Sequence, residues 1–266
     1  MKLLNGAELA GFIKERHAHQ VRSLRASRIF PKLAIVQAKD DPVINTYVRL
    51  KKRYGGDIGI DVDVHSVSQA DIPALLDSLN ADASVNGIIV QLPLPDPAET
   101  DKLVNLVSPD KDVDSLGKHA KFDPATPMAI LWLLAGYNVD LRGKNVLIVG
   151  HGKLVGIPLT ALLIKSGIDI SVADENTNDL DIKAREADVI ITATGSPGVL
   201  KADMIKTNAV VVDAGVASED GKTLGDLAPD VYERQDLTIT PQKGGVGPLT
   251  VCALFENVIR SAERLR

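Results

Sequence analysis

The sequence predicts an α/β protein built as two alternating strand–helix halves. Three observations carry that prediction. Short runs rich in Val, Ile and Leu, the composition of strands buried on both faces, alternate with helical spacings along the 266 residues. Aromatic residues make up only 3% of the chain, a balance that suits aliphatic strands covered by helices. One apolar run, 145–149, leads into a glycine-spaced turn and then another helical pattern, the grammar of a parallel sheet.

The elements follow in order. Leu9, Phe12, Ile13 and Val21 fall at roughly helical spacing over 5–25, with Asn5 as cap. Pro31 breaks the chain, and Lys32–Gln37 reads as a strand. Asp41 before Pro42 is a cap followed by a first-turn proline, opening a helix through about Tyr54 that Gly55 and Gly56 stop. Residues 60–67 alternate as a strand with one wetter face, 72–79 form a helix, and 87–91 a short buried strand. The second half repeats the pattern: an apolar helix over 127–137, a strand at 145–149, a helix at 158–166 and a strand at 169–172. A short helix ending near 187 follows, then strands at Val189–Thr192, 209–213 and 237–239, and a terminal helix over 249–266. The boundary falls near 117–138, and the terminal helix is expected to pack back on the first half.

Composition excludes several function classes. Thirty Lys and Arg against 35 Asp and Glu give a net charge of −5. With no basic block, general binding to nucleic acid or a membrane surface is not expected. The single cysteine, Cys252, excludes an intrachain disulfide framework and a multi-cysteine metal cluster. No apolar run reaches the ~18 residues of a membrane span, and the N-terminus lacks a signal-peptide core, so a reduced cytoplasmic protein is expected. His17, His19, His65 and His119 show no paired ligand spacing beyond two on one helix, so no metal site is expected. Cys252 and Trp132 are expected as buried hydrophobes.

Five motifs carry chemistry. Gly150-His151-Gly152-Lys153-Leu154-Val155-Gly156 lies between an apolar strand and a helix. Glycines let backbone approach a pyrophosphate, and the helix N-terminus offers free N–H groups. Asp174, followed by Glu175, lies 24 residues beyond Gly150, near the interval of a ribose-binding acid. The second half is therefore expected to be a Rossmann-like NAD(P)-binding domain, with Gly150, His151, Gly152, Gly156, Asp174, Glu175 and Thr194 as candidate cofactor contacts. Tyr47 and Lys51 are four apart and share a helix face. Gln91, within Val90-Gln91-Leu92-Pro93-Leu94-Pro95, stands at the C-terminal end of a parallel strand, where α/β sheets bind ligands. Asp110, Asp112 and Asp114 supply carboxylates in one turn whose spacing fits no EF-hand. Gly244, Gly245 and Gly247 precede Pro248 and Thr250 at the start of the last helix, a place for backbone to approach a ligand. Taken singly, each has a plainer reading: a tight turn, a solvated lysine, a polar strand end, an acidic loop, a flexible joint.

Together and in this order the motifs resemble the bifunctional methylenetetrahydrofolate dehydrogenase/methenyltetrahydrofolate cyclohydrolase family, VQLPLP and GGVGP-x-T being the most specific. The resemblance spans nearly the whole chain. It implies two α/β domains flanking a cleft, a folate-binding catalytic domain over 1–120 and the NAD(P)-binding domain over 121–248. A homodimer paired through the cofactor domains is implied, with a cytoplasmic role in one-carbon metabolism and purine biosynthesis. The implied reactions are oxidation of 5,10-methylenetetrahydrofolate to the 5,10-methenyl cation and its hydrolysis to 10-formyltetrahydrofolate. By the same resemblance Lys51 is the acid/base lysine, Gln91 hydrogen-bonds it, Tyr47 lines the folate rings, Asp114 accepts pterin N–H donors, and Gly245 and Pro248 belong to the substrate-binding set.

The chain departs from the family pattern at three places. Pro124-Ala125-Thr126-Pro127-Met128-Ala129 lacks the family's cysteine and glycine, Gly150-His151-Gly152 replaces Gly-Arg-Ser, and Lys243 replaces a proline. Losing arginine and serine at the turn, with Asp174 and Glu175 nearby, favours NAD over NADP. Other readings remain: a cyclohydrolase with weak dehydrogenase activity, another small two-domain dehydrogenase such as one for shikimate or an amino acid, and a dinucleotide-sensing protein without chemistry. The second has no reason for VQLPLP plus GGVGP. The intact set Tyr47, Lys51, Gln91 and Asp114 speaks against the third.

Overall fold

The computed structural model describes residues 1–219 and 222–264. Its strands are β1 (Lys2–Leu3), β2 (Lys32–Gln37), β3 (Asp61–Ser66), β4 (Gly87–Val90), β5 (Val146–Val149), β6 (Ile170–Ala173), β7 (Val189–Thr192), β8 (Val210–Asp213), β9 (Ala217–Glu219), β10 (Lys222–Leu224) and β11 (Thr238–Ile239). Its helices are α1 (Gly6–Ala26), α2 (Pro42–Ile58), α3 (Ile72–Ala81), α4 (Thr100–Val104), α5 (Ala125–Gly136), α6 (Gly156–Lys165), α7 (Leu180–Glu186) and α8 (Val246–Glu263). Two compact units result. One contains Gly11–Ala125 and Val251–Arg266, the other Met1–Ala10 and Thr126–Thr250.

The first unit is built on a parallel sheet in the order β3-β2-β4. Ala34, Val36, Ile88 and Val90 pack with Ile72, Leu76 and Leu79 of α3 and with Leu103 and Val104 of α4. The chain leaves the central strand β2 toward β3 and returns to its other side as β4. That makes a switch point at the carboxyl ends of β2 and β4. Past β4 the Ile88 N–H donates to the Lys111 carbonyl (2.8 Å), so the 111–113 backbone runs alongside β4 in the same direction. The Lys111 ammonium donates to the carbonyls of Leu79, Asn80 and Asp82 at 2.7–3.0 Å. It thereby satisfies the orphan carbonyls at the C-terminal end of α3.

The helix that carries Tyr47 and Lys51 starts as expected and ends later. The Asp41 carboxylate accepts from the N–H groups of Val43 and Ile44, with Pro42 in the first turn. Gly55 and Gly56 do not stop it. The stop is Gly59, at φ +84°, where glycine avoids the strain of the left-handed region. Gly55 serves packing instead: a Cβ there would lie 2.4 Å from Val62 Cγ2 and 3.1 Å from Phe255 Cε1.

The second unit holds a parallel sheet in the order β1-β11-β8-β7-β5-β6. Strands β5 and β7 are buried along their length, as the apolar runs predict. The expected division at residue 120 leaves the first residues with the first half. Hydrogen bonds correct this: Lys2–Leu3 pairs with Thr238–Ile239 at the edge of the second sheet. A two-residue strand has no periodicity to read, and the three-residue β9–β10 hairpin escapes for the same reason. Two side chains expected in apolar stripes also differ. Phe12 is 66% exposed, and Trp132 is half-buried rather than core. Helix α5 is apolar all round but buries chiefly Ala129, Ile130, Leu133 and Leu134.

Two neighbouring glycines of α2 test this packing with opposite signs. Gly55→Ala should destabilise by about 1–3 kcal/mol through overpacking. Gly56→Ala, where a Cβ meets nothing within 4 Å, should stabilise by about 0.5–1 kcal/mol, because alanine loses less backbone freedom in a helix. Urea denaturation midpoints check both, and a neutral Gly55→Ala would contradict the close packing.

Candidate active site

In the first unit the switch point brings together residues far apart in sequence. The Lys51 Nζ donates to Gln91 Oε1 at 2.8 Å. Gln91 stands one residue past β4, its own N–H donating to the Val36 carbonyl (2.8 Å). Its amide donates from Nε2 to the Leu92 carbonyl (2.9 Å), so the oxygen faces the lysine. Burial pushes the Lys51 pKa below the usual lysine value, while the Asp114 charge acts in the opposite direction. Such an amine releases its proton more readily than a solvated lysine. Tyr47, one turn earlier on α2, is half-buried, and burial raises its phenol pKa, keeping it neutral.

The two acids at 112 and 114 have different work. Asp112 is 3% exposed, its carboxylate accepting from the N–H groups of Leu116 (3.3 Å) and Gly117 (2.7 Å). Burial raises its pKa against those bonds. It holds the loop, and Asp114, two residues further along the direction of β4, remains partly exposed.

In the second unit the parallel register aligns the carboxyl ends of β5, β6, β7 and β8 through Val149↔Ala173, Val149↔Thr192 and Thr192↔Asp213. Gly150, Asp174 and Thr194 therefore lie along one sheet edge, where such sheets bind ligands. Gly150 has φ +104°, and a Cβ there would lie 2.6 Å from the Ala193 carbonyl oxygen. A Cβ on Gly156 would lie 2.0 Å from the Gly150 carbonyl oxygen. At Gly152 there is open space, beside exposed His151 and Lys153. No side chain caps the N-terminus of α6. A turn without side-chain bulk at a helix start fits a dinucleotide's pyrophosphate.

Asp174 Oδ1 accepts from the Asn176 N–H (3.0 Å) and the Thr177 hydroxyl (3.1 Å), which hold its pKa below the usual carboxylate range. Glu175 beside it is exposed. Thr194 donates its N–H to Asp226 Oδ2 (2.7 Å) and accepts at its hydroxyl from the Ser196 N–H (3.0 Å). Gly245 and Pro248 belong to the second unit. Gly245 packs against the start of α1, since a Cβ on Gly6 would fall 1.8 Å from its carbonyl oxygen.

The sequence analysis missed two acids that organise this edge, half-buried Asp213 and buried Asp226. Asp213 accepts from the Thr192 hydroxyl and the N–H groups of Gly215, Asp226 and Leu227, and burial raises its pKa. Asp226, fully buried, accepts from Thr194 and Ser196 and so shapes the loop after β7. The available signal was a glycine beside each acid. A Cβ on Gly215 or Gly225 would come within 2.0 Å of the Asp226 or Asp213 carboxylate.

Outside both groups, buried His17 lies between Glu256 (2.9 Å) and the Tyr54 hydroxyl (3.0 Å), and buried Cys252 accepts from that hydroxyl. Among the described residues no cluster of three or more His, Cys, Asp or Glu is arranged to hold a metal.

Residues 4–114 match a family model described as tetrahydrofolate dehydrogenase/cyclohydrolase, catalytic domain. Residues 124–266 match the one described as tetrahydrofolate dehydrogenase/cyclohydrolase, NAD(P)-binding domain. The chain is 39% identical over 277 residues to the bifunctional protein FolD of Lactobacillus helveticus, with 99% of this chain and 98% of that protein covered. Among solved structures it is similar to the bifunctional FolD methylenetetrahydrofolate dehydrogenase/cyclohydrolase of Campylobacter jejuni, with TM-score 0.93, 36% identity and 100% of both chains covered. It is also similar to the Trypanosoma brucei methylenetetrahydrofolate dehydrogenase-cyclohydrolase complexed with NADP and inhibitor, with TM-score 0.91, 28% identity and 99% and 97% covered.

The electrostatics of Lys51 can be read directly. With lysines labelled at Cε, NMR titration should show Lys51 changing charge below the ordinary lysine value. Asp114→Asn should move that midpoint lower still, because the negative charge that favours the ammonium is gone. A midpoint that stays or rises would mean Asp114 does not act on this amine.

Proposed function

The chain belongs to the tetrahydrofolate dehydrogenase/cyclohydrolase family, and from that premise we propose which of its residues carry the family's two reactions. The protein oxidises 5,10-methylenetetrahydrofolate to 5,10-methenyltetrahydrofolate with NAD(P), then hydrolyses the methenyl cation to 10-formyltetrahydrofolate. In this reading the unit of Gly11–Ala125 and Val251–Arg266 binds folate, and the unit of Met1–Ala10 and Thr126–Thr250 binds the dinucleotide. Tyr47 lines the folate rings, Asp114 accepts the pterin N–H donors, and Gly245 and Pro248 border the substrate.

Lys51 is the acid/base group, and its bond to Gln91 is the observation that carries the proposal. Hydrolysis adds water to a cationic carbon, so the water must lose a proton as its oxygen bonds. The carbon–N5 bond then breaks, and N5 must gain a proton. A single amine can do both, taking the proton as neutral Lys51 and returning it as the ammonium. Burial favours the neutral form, and the Gln91 oxygen accepts a hydrogen bond from either form while adding no charge. A carboxylate in place of Gln91 would fix the ammonium and hold the proton back.

When bound, the dinucleotide supplies the hydride acceptor. Gly150 and Gly156 let the turn close on itself, and Gly152 leaves room for its pyrophosphate at the start of α6. We propose NAD as the preferred form. Asp174, held ionised at the end of β6 with Glu175 beside it, suits the two hydroxyls of an unmodified ribose and repels a 2′-phosphate. His151 and Gly152 supply no fixed positive charge to offset that repulsion. The assembly expected on family grounds is a homodimer, acting in cytoplasmic one-carbon metabolism and purine biosynthesis. Ile157 and Ile164, exposed seven residues apart on α6, are apolar surface that a second copy would cover.

Two measurements test these assignments. Lys51→Met should lower cyclohydrolase kcat by about 100-fold or more, the scale of a lost general acid/base, with an unchanged melting curve. Near wild-type hydrolysis of the methenyl cation would remove Lys51 from the role. Dehydrogenase kcat/KM should favour NAD over NADP by roughly tenfold, and a higher value with NADP would overturn the cofactor assignment.

A further inference from the structure

Asn257 lies on α8, away from Tyr47, Lys51, Gln91 and Asp114 in sequence and assigned no role above. It is 4% exposed, and both bonds of its amide nitrogen are directed at backbone. Nδ2 donates to the Val113 carbonyl (2.9 Å) and to the Asp123 carbonyl (2.9 Å). Those carbonyls stand immediately before and immediately after the 114–122 loop. One side chain therefore fastens the two ends of the loop that begins with Asp114.

The Val113 carbonyl and the Asp114 N–H belong to the same planar peptide. Holding that carbonyl fixes the peptide plane and, with it, the Cα position from which the Asp114 side chain leaves the backbone. The loop's other bonds brace it without doing this. Asp112 holds the N–H groups of Leu116 and Gly117, and the Ser115 hydroxyl donates to the Phe122 carbonyl (2.6 Å). One turn on along α8, the Ser261 hydroxyl donates to the Asp110 carbonyl (3.1 Å). The chemistry of the clamp is specific. Two carbonyl oxygens need two N–H donors from one short side chain, without burying a charge, and a primary amide meets that need.

We infer that Asn257 is a positioning residue for folate binding, acting through Asp114, whose pterin-binding role is the reading it rests on. It touches neither substrate nor reacting atoms. Its loss is felt as a less well-aimed carboxylate, hence in substrate affinity more than in turnover.

The test is a double-mutant cycle on the full chain, read by steady-state cyclohydrolase kinetics with 5,10-methenyltetrahydrofolate. Asn257→Ser removes the two-carbonyl reach and should raise KM about tenfold, with kcat changed less than about threefold and the dinucleotide KM of the dehydrogenase reaction unchanged. In an Asp114→Asn background, which itself raises KM, the same change should add nothing, because the group being aimed is already gone. Asn257→Gln keeps both donors on an arm one methylene longer and is read in place of the serine variant if that one does not fold. It should show a smaller KM rise, equally cancelled by Asp114→Asn. A folded Asn257→Ser with wild-type KM, or a KM rise that persists in full without the Asp114 carboxylate, would overturn the inference. An unchanged KM in Asp114→Asn alone would instead overturn the pterin-binding role of Asp114, and this inference with it.

Discussion

Burying a lysine amine against a neutral partner is the constraint around which the first unit is arranged. A desolvated ammonium is costly, and a carboxylate partner would remove that cost by fixing the charge. Here the Lys51 nitrogen faces the Gln91 amide oxygen, whose direction is set by a second bond to the Leu92 carbonyl. Asp114 offsets the burial only in part. The net effect of burial and Asp114 is an amine that gives up its proton more readily than a solvated lysine does. Keeping it there needs α2 held in place relative to β4. The Asp41 cap, the close contact at Gly55 and the tie from Gln91 to β2 are the parts that hold it.

The carboxylates divide along a similar line. Asp112, Asp213 and Asp226 are inside or nearly so, each surrounded by backbone N–H donors, and each holds a loop. Asp114 and Asp174 stand nearer solvent, at strand ends where a ligand can reach them. A buried acid held by backbone N–H groups lies out of a ligand's reach, whereas an acid nearer solvent can be reached. The split explains why neighbouring acids such as Asp112 and Asp114, alike in sequence, are not alike in chemistry.

The same division of labour separates the glycines of the nucleotide-binding turn. Gly150 and Gly156 are required by the protein itself, since a Cβ at either would strike backbone. Gly152 meets nothing within 4 Å, so its lack of a side chain leaves open space beside the start of α6. A glycine motif read from sequence mixes these two demands, and only the surroundings of each residue separate them.

Much of this was legible in the chain alone. Apolar runs of four to six residues marked the principal strands, because strands buried on both faces have no polar face to show. Asp41-Pro42 located the start of α2, and the four-residue spacing placed Tyr47 and Lys51 on one side of it. Motif order carried the family. What sequence could not decide depended on contacts between distant residues. The two-residue β1 exists only because β11 is there to pair with it, and Gly55 reads as a helix stop until Val62 and Phe255 are seen against it. Asp213, Asp226 and Asn257 gave little local sign of importance, for their hydrogen-bond partners are brought near by the folded backbone. Local pattern determines which elements form, since periodicity and capping act within one or two turns. The direction of a carboxylate or the charge on an amine is set by burial and by donors from other elements, and those exist only in the tertiary structure.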